Sequence, residues 1–278
     1  MLVDNQMLGY IPANTVIHQL NSTAKLLFLL LVSIACMTTY DTRLLAFMAV
    51  FSFVLFKLAD IKWQQVSFVI KFIAVFSLLN IFAIYLFAPE YGVTLYGSRT
   101  LIWKGINRFT LTYEELFYEF NLILKYFCTI PLALIFLLTT NPSEFASSLN
   151  RLGVHYKISY AVALAIRYIP DIQEDFFNIS LAQQARGLEL SKKGQLIRKL
   201  KGSLQIVFPL ILSSLDRIET ISTAMELRRF GENKRRTWYI RQPIRLMDGL
   251  VILSAIIFLL VNFYLFHSNN GRFYNPFR

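Results

Sequence analysis

The sequence predicts an all-α, polytopic helical membrane protein with about five spans and a pair of long cytoplasmic helices. Three observations lead there. Of 278 residues, 55% are hydrophobic and only 16% charged, where soluble domains carry about a quarter. The apolar residues gather into a few long runs, as membrane spans require. The net charge of +11 is concentrated in one block, Ala182–Arg245, where fourteen Lys or Arg stand against five Asp or Glu. Short segments this basic stay on the cytoplasmic side, where anionic lipid head groups also attract them.

The first apolar run is Leu26–Met37 and the second Leu44–Phe56. Only "YDTR" joins them, which predicts an antiparallel helical hairpin. Both are shorter than the roughly 20 residues of a full span. They borrow length from their flanks or tilt, with Lys25 and Lys57 snorkelling to the head groups. Val66–Ala88 is long enough to cross outright. A Gly-, Pro- and Thr-containing loop follows, about 89–115, whose short β-prone pieces predict a small hairpin. Leu116–Leu138 is the fourth span and contains Glu119, Lys125 and Pro131. Intramembrane charge marks function by default. Here the structural reading is preferred, because Glu119 stands near one end and Lys125 can snorkel or pair locally.

From Thr139 to Arg245 the apolar stretches shorten to Ile158–Ile169, interrupted by Arg167, and Leu204–Leu215, interrupted by Pro209. Such lengths suit interfacial or buried helices. Leu246–Phe266 returns to a full span, with Asp248 near its start. Three regions result: a membrane region 1–139, a cytoplasmic or interfacial region 140–245, and a last span with its tail, 246–278. Counting outward from the basic block places the N-terminus in the cytoplasm and the 89–115 loop and C-terminal tail outside. Cys36 and Cys128 both lie in apolar runs, so neither a disulfide framework nor a zinc site is expected. No charged segment precedes the first run, so a cleaved signal peptide is not expected either.

Two segments in the basic block end alike: "AQQARGLEL" from Ala182 and "AMELRRFGE" from Ala224. The first closes a predicted helix over Asp171–Leu190, begun by Pro170. Asp171, Glu174 and Asp175 lie in its first turn, facing the positive end of the dipole. Phe177, Leu181, Ala185 and Leu188 form an apolar stripe. The second segment closes a longer helix, Gly202–Phe230, kinked at Pro209. Its apolar side is Ile211, Leu215, Ile218 and Met225. Ser213, Ser214, Thr220, Ser222, Thr223 and Ala224 are small enough to let two helices approach closely. Each helix thus ends in a guanidinium, at Arg186 and at Arg228 with Arg229, followed by Gly187 or Gly231. Arg presents a rigid, permanently charged fork suited to a partner's carboxylate. Complementing the helix dipole would be the bland alternative.

At these residues the chain resembles the transmembrane T component (EcfT, related to CbiQ) of energy-coupling factor importers. Family members carry two Ala-Arg-Gly motifs at the ends of cytoplasmic coupling helices. Ala185, Arg186 and Gly187 match the first; the second reads Leu227, Arg228 and Arg229, a departure that bears on its packing. "LGYIPANTVIHQLNSTAKL" is similar to the family's opening segment, with Asn21-Ser22-Thr23 in place of the usual Asp-Pro-Arg. "TTNPSEFASSLNRLGV" and "AIRYIPDIQEDFFNISLAQQARG" are similar to the approach to the first coupling helix. The resemblance covers most of the chain. It implies a non-catalytic subunit that binds no cofactor or metal of its own. It implies two ABC-type ATPase subunits as partners, a small substrate-binding membrane S component, and uptake of a vitamin or other micronutrient across the cell membrane.

Two other readings compete. A conventional ABC importer permease presents a cytoplasmic loop of Ala, Gly and then Ile-Pro, but does not duplicate an Arg-ended helix. A lipid or prenyl transferase needs clustered carboxylates for metal and diphosphate. The tight acidic group at Asp171, Glu174 and Asp175 is explained by a helix start, and His18, His155 and His267 are scattered. No phosphate-cradling loop appears, and the basic block lacks a nucleic-acid recognition fold.

Overall fold

The computed structural model describes residues 13–104, 110–187, 196–233, 237–238, 242–269 and 271–276. The opening motif's Leu8–Pro12, and Leu188, Lys192 and Lys193, lie outside them. The described residues divide into two compact units, one from Gly9–Thr140 with Gln242–Arg278, the other from Asn141–Arg241.

The first unit contains a short helix α1 (Val16–Gln19), α2 (Ser22–Thr38), α3 (Thr42–Leu58), α4 (Trp63–Phe87), α5 (Tyr91–Tyr96), strands β1 (Leu101–Lys104) and β2 (Thr110–Thr112), α6 (Tyr113–Thr139) and α10 (Leu246–Ser268). Val69–Phe87, Tyr113–Thr139 and Leu246–Ser268 are long and apolar enough to cross a membrane; α2 and α3 have 17 residues each. Polar N-caps start the short helices. Asn21 accepts from Thr23 N at 2.9 Å and Asp41 from Arg43 N at 3.0 Å, the bond that a preorganised Asn or Asp cap supplies.

α6 is the member on which α2, α3, α4 and α5 pack. α2 and α3 run antiparallel, as expected, but hardly touch each other: α3 packs on α6, while α2 packs chiefly on α10 and also on α6. Val32, Ala35, Cys36, Leu45, Cys128 and Ala255 meet in the core. The contacts fix directions. Lys25 reaches Thr139 and Lys125 reaches Met37, so α2 and α6 run antiparallel. Thr42 bonds Asn121 at 2.8 Å and Ser52 bonds Phe127 O at 3.0 Å, so α3 and α6 run parallel. Asn21 bonds Asp248 and Asn262 bonds Ala35 O, so α10 runs with α2.

Lys25 corrects the sequence reading, and Lys125 takes the paired alternative rather than snorkelling. Lys25 does not snorkel: it is 7% exposed, and Nζ donates to Thr139 O at 2.8 Å and His18 O at 3.3 Å. Lys125 is 5% exposed; Nζ donates to Met37 O at 2.9 Å and lies 3.2 Å from the Tyr40 ring centroid. Each ammonium therefore seals C-terminal carbonyls that no intrahelical donor can reach. Lys57 remains exposed. Asp248 takes two backbone donors, Asn21 N at 2.8 Å and Arg245 N at 2.7 Å, joining the starts of α2 and α10.

The loop between α4 and α6 contains the expected hairpin, with Leu101 opposite Thr112 and Lys104 opposite Thr110. It is tied to α6 by buried carboxylates. Glu114 accepts from Thr100 N at 3.0 Å and from the Thr100 hydroxyl, and Glu115 accepts from Gly92 N at 2.6 Å. A Cβ at Gly92 would stand 2.6 Å from the Glu114 carbonyl, so α5 lies on α6 backbone to backbone. Burial pushes the Tyr96 phenol up to about 12. The tail after α10 folds back: Tyr40 N donates to Arg272 O at 2.9 Å, Asn275 donates to Tyr96 O at 3.0 Å, and Phe273 stacks on Tyr40 at 4.5 Å.

Two outcomes follow from this packing. Lys125→Met removes the donor to the Met37 carbonyl, and thermal unfolding in detergent should show a loss of about 2 kcal/mol. Gly92→Ala forces α5 off α6 at a cost of about 1–3 kcal/mol, read as faster proteolysis of the 89–115 loop with intact helix content.

Candidate coupling interface

The second unit is built from α7 (Pro142–Arg151), α8 (Tyr156–Ala185) and α9 (Leu196–Leu227). Asn141 caps α7 by accepting from Ser143 N at 3.0 Å, Pro142 takes the first helical position, and Arg151 sits in the last turn. Gly153, at φ +99°, turns the chain toward α8.

α8 departs from the sequence reading. Pro170 lies inside the helix, not at its first turn, and α8 begins fourteen residues earlier, at Tyr156. Asp171, Glu174 and Asp175 are thus mid-helix, and two of them have another use. Arg217 of α9 pairs with Asp175 at 2.5 Å and approaches Asp171 at 3.7 Å. α9 likewise starts before Gly202, at Leu196, keeps Pro209 in its interior and ends at Leu227.

α8 and α9 pack together, and their contacts give the register. Gln183 donates to Gln205 O at 3.4 Å, Arg217 pairs with Asp175, and Phe230 meets Tyr160 at 4.8 Å and Tyr156 at 5.7 Å. As one helix ascends the other descends, so the pair is antiparallel. The shielded side of α9 is Ile206, Leu210, Ser214, Arg217, Ile221 and Met225, one per turn. The small residues expected at the crossing are mostly elsewhere. Thr220, Thr223 and Ala224 are exposed and line an open groove with Asp216, Glu219 and Leu227. Both threonine hydroxyls bond back to their own helix at 3.0 Å, a local choice that sequence spacing does not reveal. Apart from Met225, the described residues of the apolar stripes also face outward: Phe177 is 61% exposed and Ile218 58%.

The antiparallel arrangement decides where the Arg-ended segments go. Each lies at the C-terminal end of its helix, so they stand at opposite ends of the pair. α8 has 30 residues, about 45 Å at 1.5 Å per residue.

The two ends share one backbone design. After Ala185, Arg186 caps the helix, and Gly187 follows at φ +88° with its N–H on Gln184 O at 2.9 Å. After Leu227, Arg228 occupies the cap. Arg229 follows at φ +53° with its N–H on Glu226 O at 2.8 Å, and Phe230 N reaches Met225 O at 2.9 Å. This is the Schellman pattern of crossed bonds. Ala185, Arg186, Gly187, Leu227, Arg228 and Arg229 are all exposed. The second end is anchored by Phe230 on Tyr156 and Tyr160, and by Trp238 Nε1 donating to Asn150 at 3.1 Å. Arg229 holds a left-handed conformation that costs a residue with a side chain about 1–2 kcal/mol. Among the described residues no group of His, Cys, Asp and Glu could hold a metal ion.

Comparison with known proteins gives a consistent picture. The family model described as "Cobalt transport protein" (CbiQ) matches residues 13–239. A protein of Staphylococcus aureus, named "Energy-coupling factor transporter transmembrane protein EcfT", is 28% identical over 93% of this chain and 96% of its own length. Proteins of the same name from Streptococcus equi and Lactococcus lactis are 29% and 26% identical, each over 92% of this chain and 94% and 96% of their own lengths.

Phe230→Ala should release the second end without disturbing the first unit. Loss of its aromatic contacts costs about 1 kcal/mol, visible as faster hydrogen exchange at residues 228–233 with unchanged exchange in α2, α3 and α6.

Proposed function

The chain belongs to the CbiQ family of cobalt transport proteins, and we propose that it acts as the transmembrane coupling subunit of an energy-coupling factor importer. In this reading it does no chemistry itself. Two cytoplasmic ABC-type ATPases grip the arginine ends of α8 and α9, and a small membrane S component brings the vitamin or other micronutrient. The observation that carries the reading is the antiparallel pair. It sets Ala185-Arg186-Gly187 and Leu227-Arg228-Arg229 about 45 Å apart, facing outward at opposite ends. One partner cannot cover both ends, whereas two similar domains can. A fork-shaped cation at each end suits a carboxylate in each partner's groove.

The outward apolar stripes support a second docking surface. Phe176, Phe177 and Leu181 on α8, and Ile211, Leu215 and Ile218 on α9, are each at least 46% exposed. A patch of that kind on helices rich in charge marks an interaction site, and the S component is its proposed occupant. The membrane region is 1–139 with 246–278, and the coupling region 140–245; the division of the described residues at Thr140 and Arg241 supports this. The chain is a multi-pass membrane protein, and we assign five crossings, α2, α3, α4, α6 and α10. What supports the count is that α2 and α10 run opposite to α3 and α6, as an alternating path requires. The basic block then places the N-terminus inside and the C-terminus outside.

Arg186→Ala and Arg228→Ala should each weaken ATPase retention by about tenfold or more, since truncating one partner of an interfacial charge pair costs about 2–5 kcal/mol. The double variant should lose the ATPases and uptake, while membrane insertion is unchanged. Removing Lys192 and Lys193 should leave retention intact. Co-purification in mild detergent measures all four, and native retention in both single variants would end this reading.

A further inference from the structure

The hairpin between α4 and α6 is inside out for a surface in water. Thr110 and Thr112 of β2 are buried, and the Thr110 hydroxyl donates to Glu90 at 3.1 Å. β1 carries the apolar side chains and turns them outward: Leu101, Ile102 and Trp103 are all exposed, Trp103 by 63%. The pairing steps from Leu101 with Thr112 to Trp103 with Leu111, so Ile102 is the extra residue of a bulge, a device that re-aims side chains. Three consecutive exposed apolar residues on one strand mark a surface that something else covers.

The neighbouring spans say what covers it. Val69–Phe87 and Tyr113–Thr139 are long and apolar enough to cross a membrane, and the hairpin lies where the first ends and the second begins. Its base is fastened to the first turn of α6: Tyr113 N donates to Thr100 O at 3.1 Å, and Glu114 accepts from Thr100 N at 3.0 Å. α6 has 27 residues, about 40 Å, which matches a bilayer with its head groups rather than the hydrocarbon core alone. Its first turn therefore stands in the head-group layer. Tyr113, Leu116 and Phe120 form an exposed stripe down α6 at helical spacing, and Leu101 follows the residue bonded to the first of them. β1 also has an open edge, since β2 is its one partner among the described residues. Hydrocarbon does not tolerate an open edge. The head-group layer offers water to the edge and an apolar boundary to the side chains, and it is where Trp and Tyr gather.

We propose that Leu101, Ile102 and Trp103 anchor the connection between α4 and α6 in the lipid head-group layer. Seated there, the hairpin fixes the height at which α6 begins. The anchor requires only that α4 and α6 cross the membrane; it is independent of the coupling role and of which side the hairpin faces.

The test uses the full chain in phosphatidylcholine vesicles. Trp63→Phe with Trp238→Phe leaves Trp103 as the sole tryptophan of three. Lipids brominated near the head-group end of their acyl chains should quench its emission about twofold, while aqueous iodide quenches it far less than a free indole. Iodide quenching as strong as that of a free indole puts the hairpin in water and overturns the proposal. Resistance to both quenchers means that a protein surface covers Trp103, which overturns it equally. A nitroxide on Ile102→Cys gives the same discrimination with every tryptophan in place, since Cys36 and Cys128 are buried. Lipid-dissolved oxygen should relax that label more than a water-soluble nickel chelate does, and the reverse order overturns the anchor. The same label on Leu78→Cys, an outward position of α4, separates the premises. Nickel access there would overturn the crossing of α4 and the anchor with it; oxygen access there, with nickel access at position 102, overturns the anchor alone.

Discussion

The membrane unit depends on two buried ammonium groups that seal each other's helices. Lys25, near the start of α2, caps Thr139 at the end of α6; Lys125, within α6, caps Met37 at the end of α2. A helix leaves its last four carbonyls without partners, and in an apolar medium each unsatisfied group is expensive. α2 has only 17 residues, fewer than the roughly 20 of a full span. Its C-terminus therefore finishes among protein atoms and needs a donor. An antiparallel neighbour with a lysine at matching height supplies one, and the pairing works in both directions only in this register. The rest of the unit builds on that register: α3 packs beside α6, α10 beside α2, and the tail closes over Tyr40, itself the ring under Lys125.

The second unit solves a different problem. Its two long helices shield only one narrow side of each other, so most of their apolar side chains remain outward. Stability comes from a few discrete contacts spaced along the pair: Gln183 with Gln205, Arg217 with two carboxylates, and Phe230 with two tyrosines. A surface left available in this way belongs to a protein completed by other subunits.

Long apolar runs and the charge block made the all-α membrane class legible in the sequence, and the arginine ends were visible as a repeated pattern. What stayed hidden depended on partners distant in sequence. Lys25 looks like a snorkelling residue until Thr139 is placed beside it, 114 positions away. Pro170 looks like a helix start because Asp171, Glu174 and Asp175 follow it, and only Arg217 reveals that two of those acids face another helix. The threonines of α9 have the size for close packing, yet their hydroxyls are satisfied locally and face outward. The left-handed Arg229 was invisible, because its neighbours in sequence permit a right-handed turn equally well.

On the proposed reading the pair transmits force, and its two prolines bear on how. A proline in a helix interior removes one hydrogen bond and weakens the rod at that point. α8 has Pro170 and α9 has Pro209. In the antiparallel register set by Arg217 with Asp171 and Asp175, and by Gln183 with Gln205, Pro170 lies opposite the turn near Thr220, and Pro209 lies opposite the turn near Leu181. Neither weak point faces the other, so each is splinted by unbroken helix. The ion-pair clamp also sits on the turn immediately after Pro170, where α8 most needs lateral support. On the proposed reading, a load applied at either arginine end would therefore meet a continuous member rather than two hinged ones.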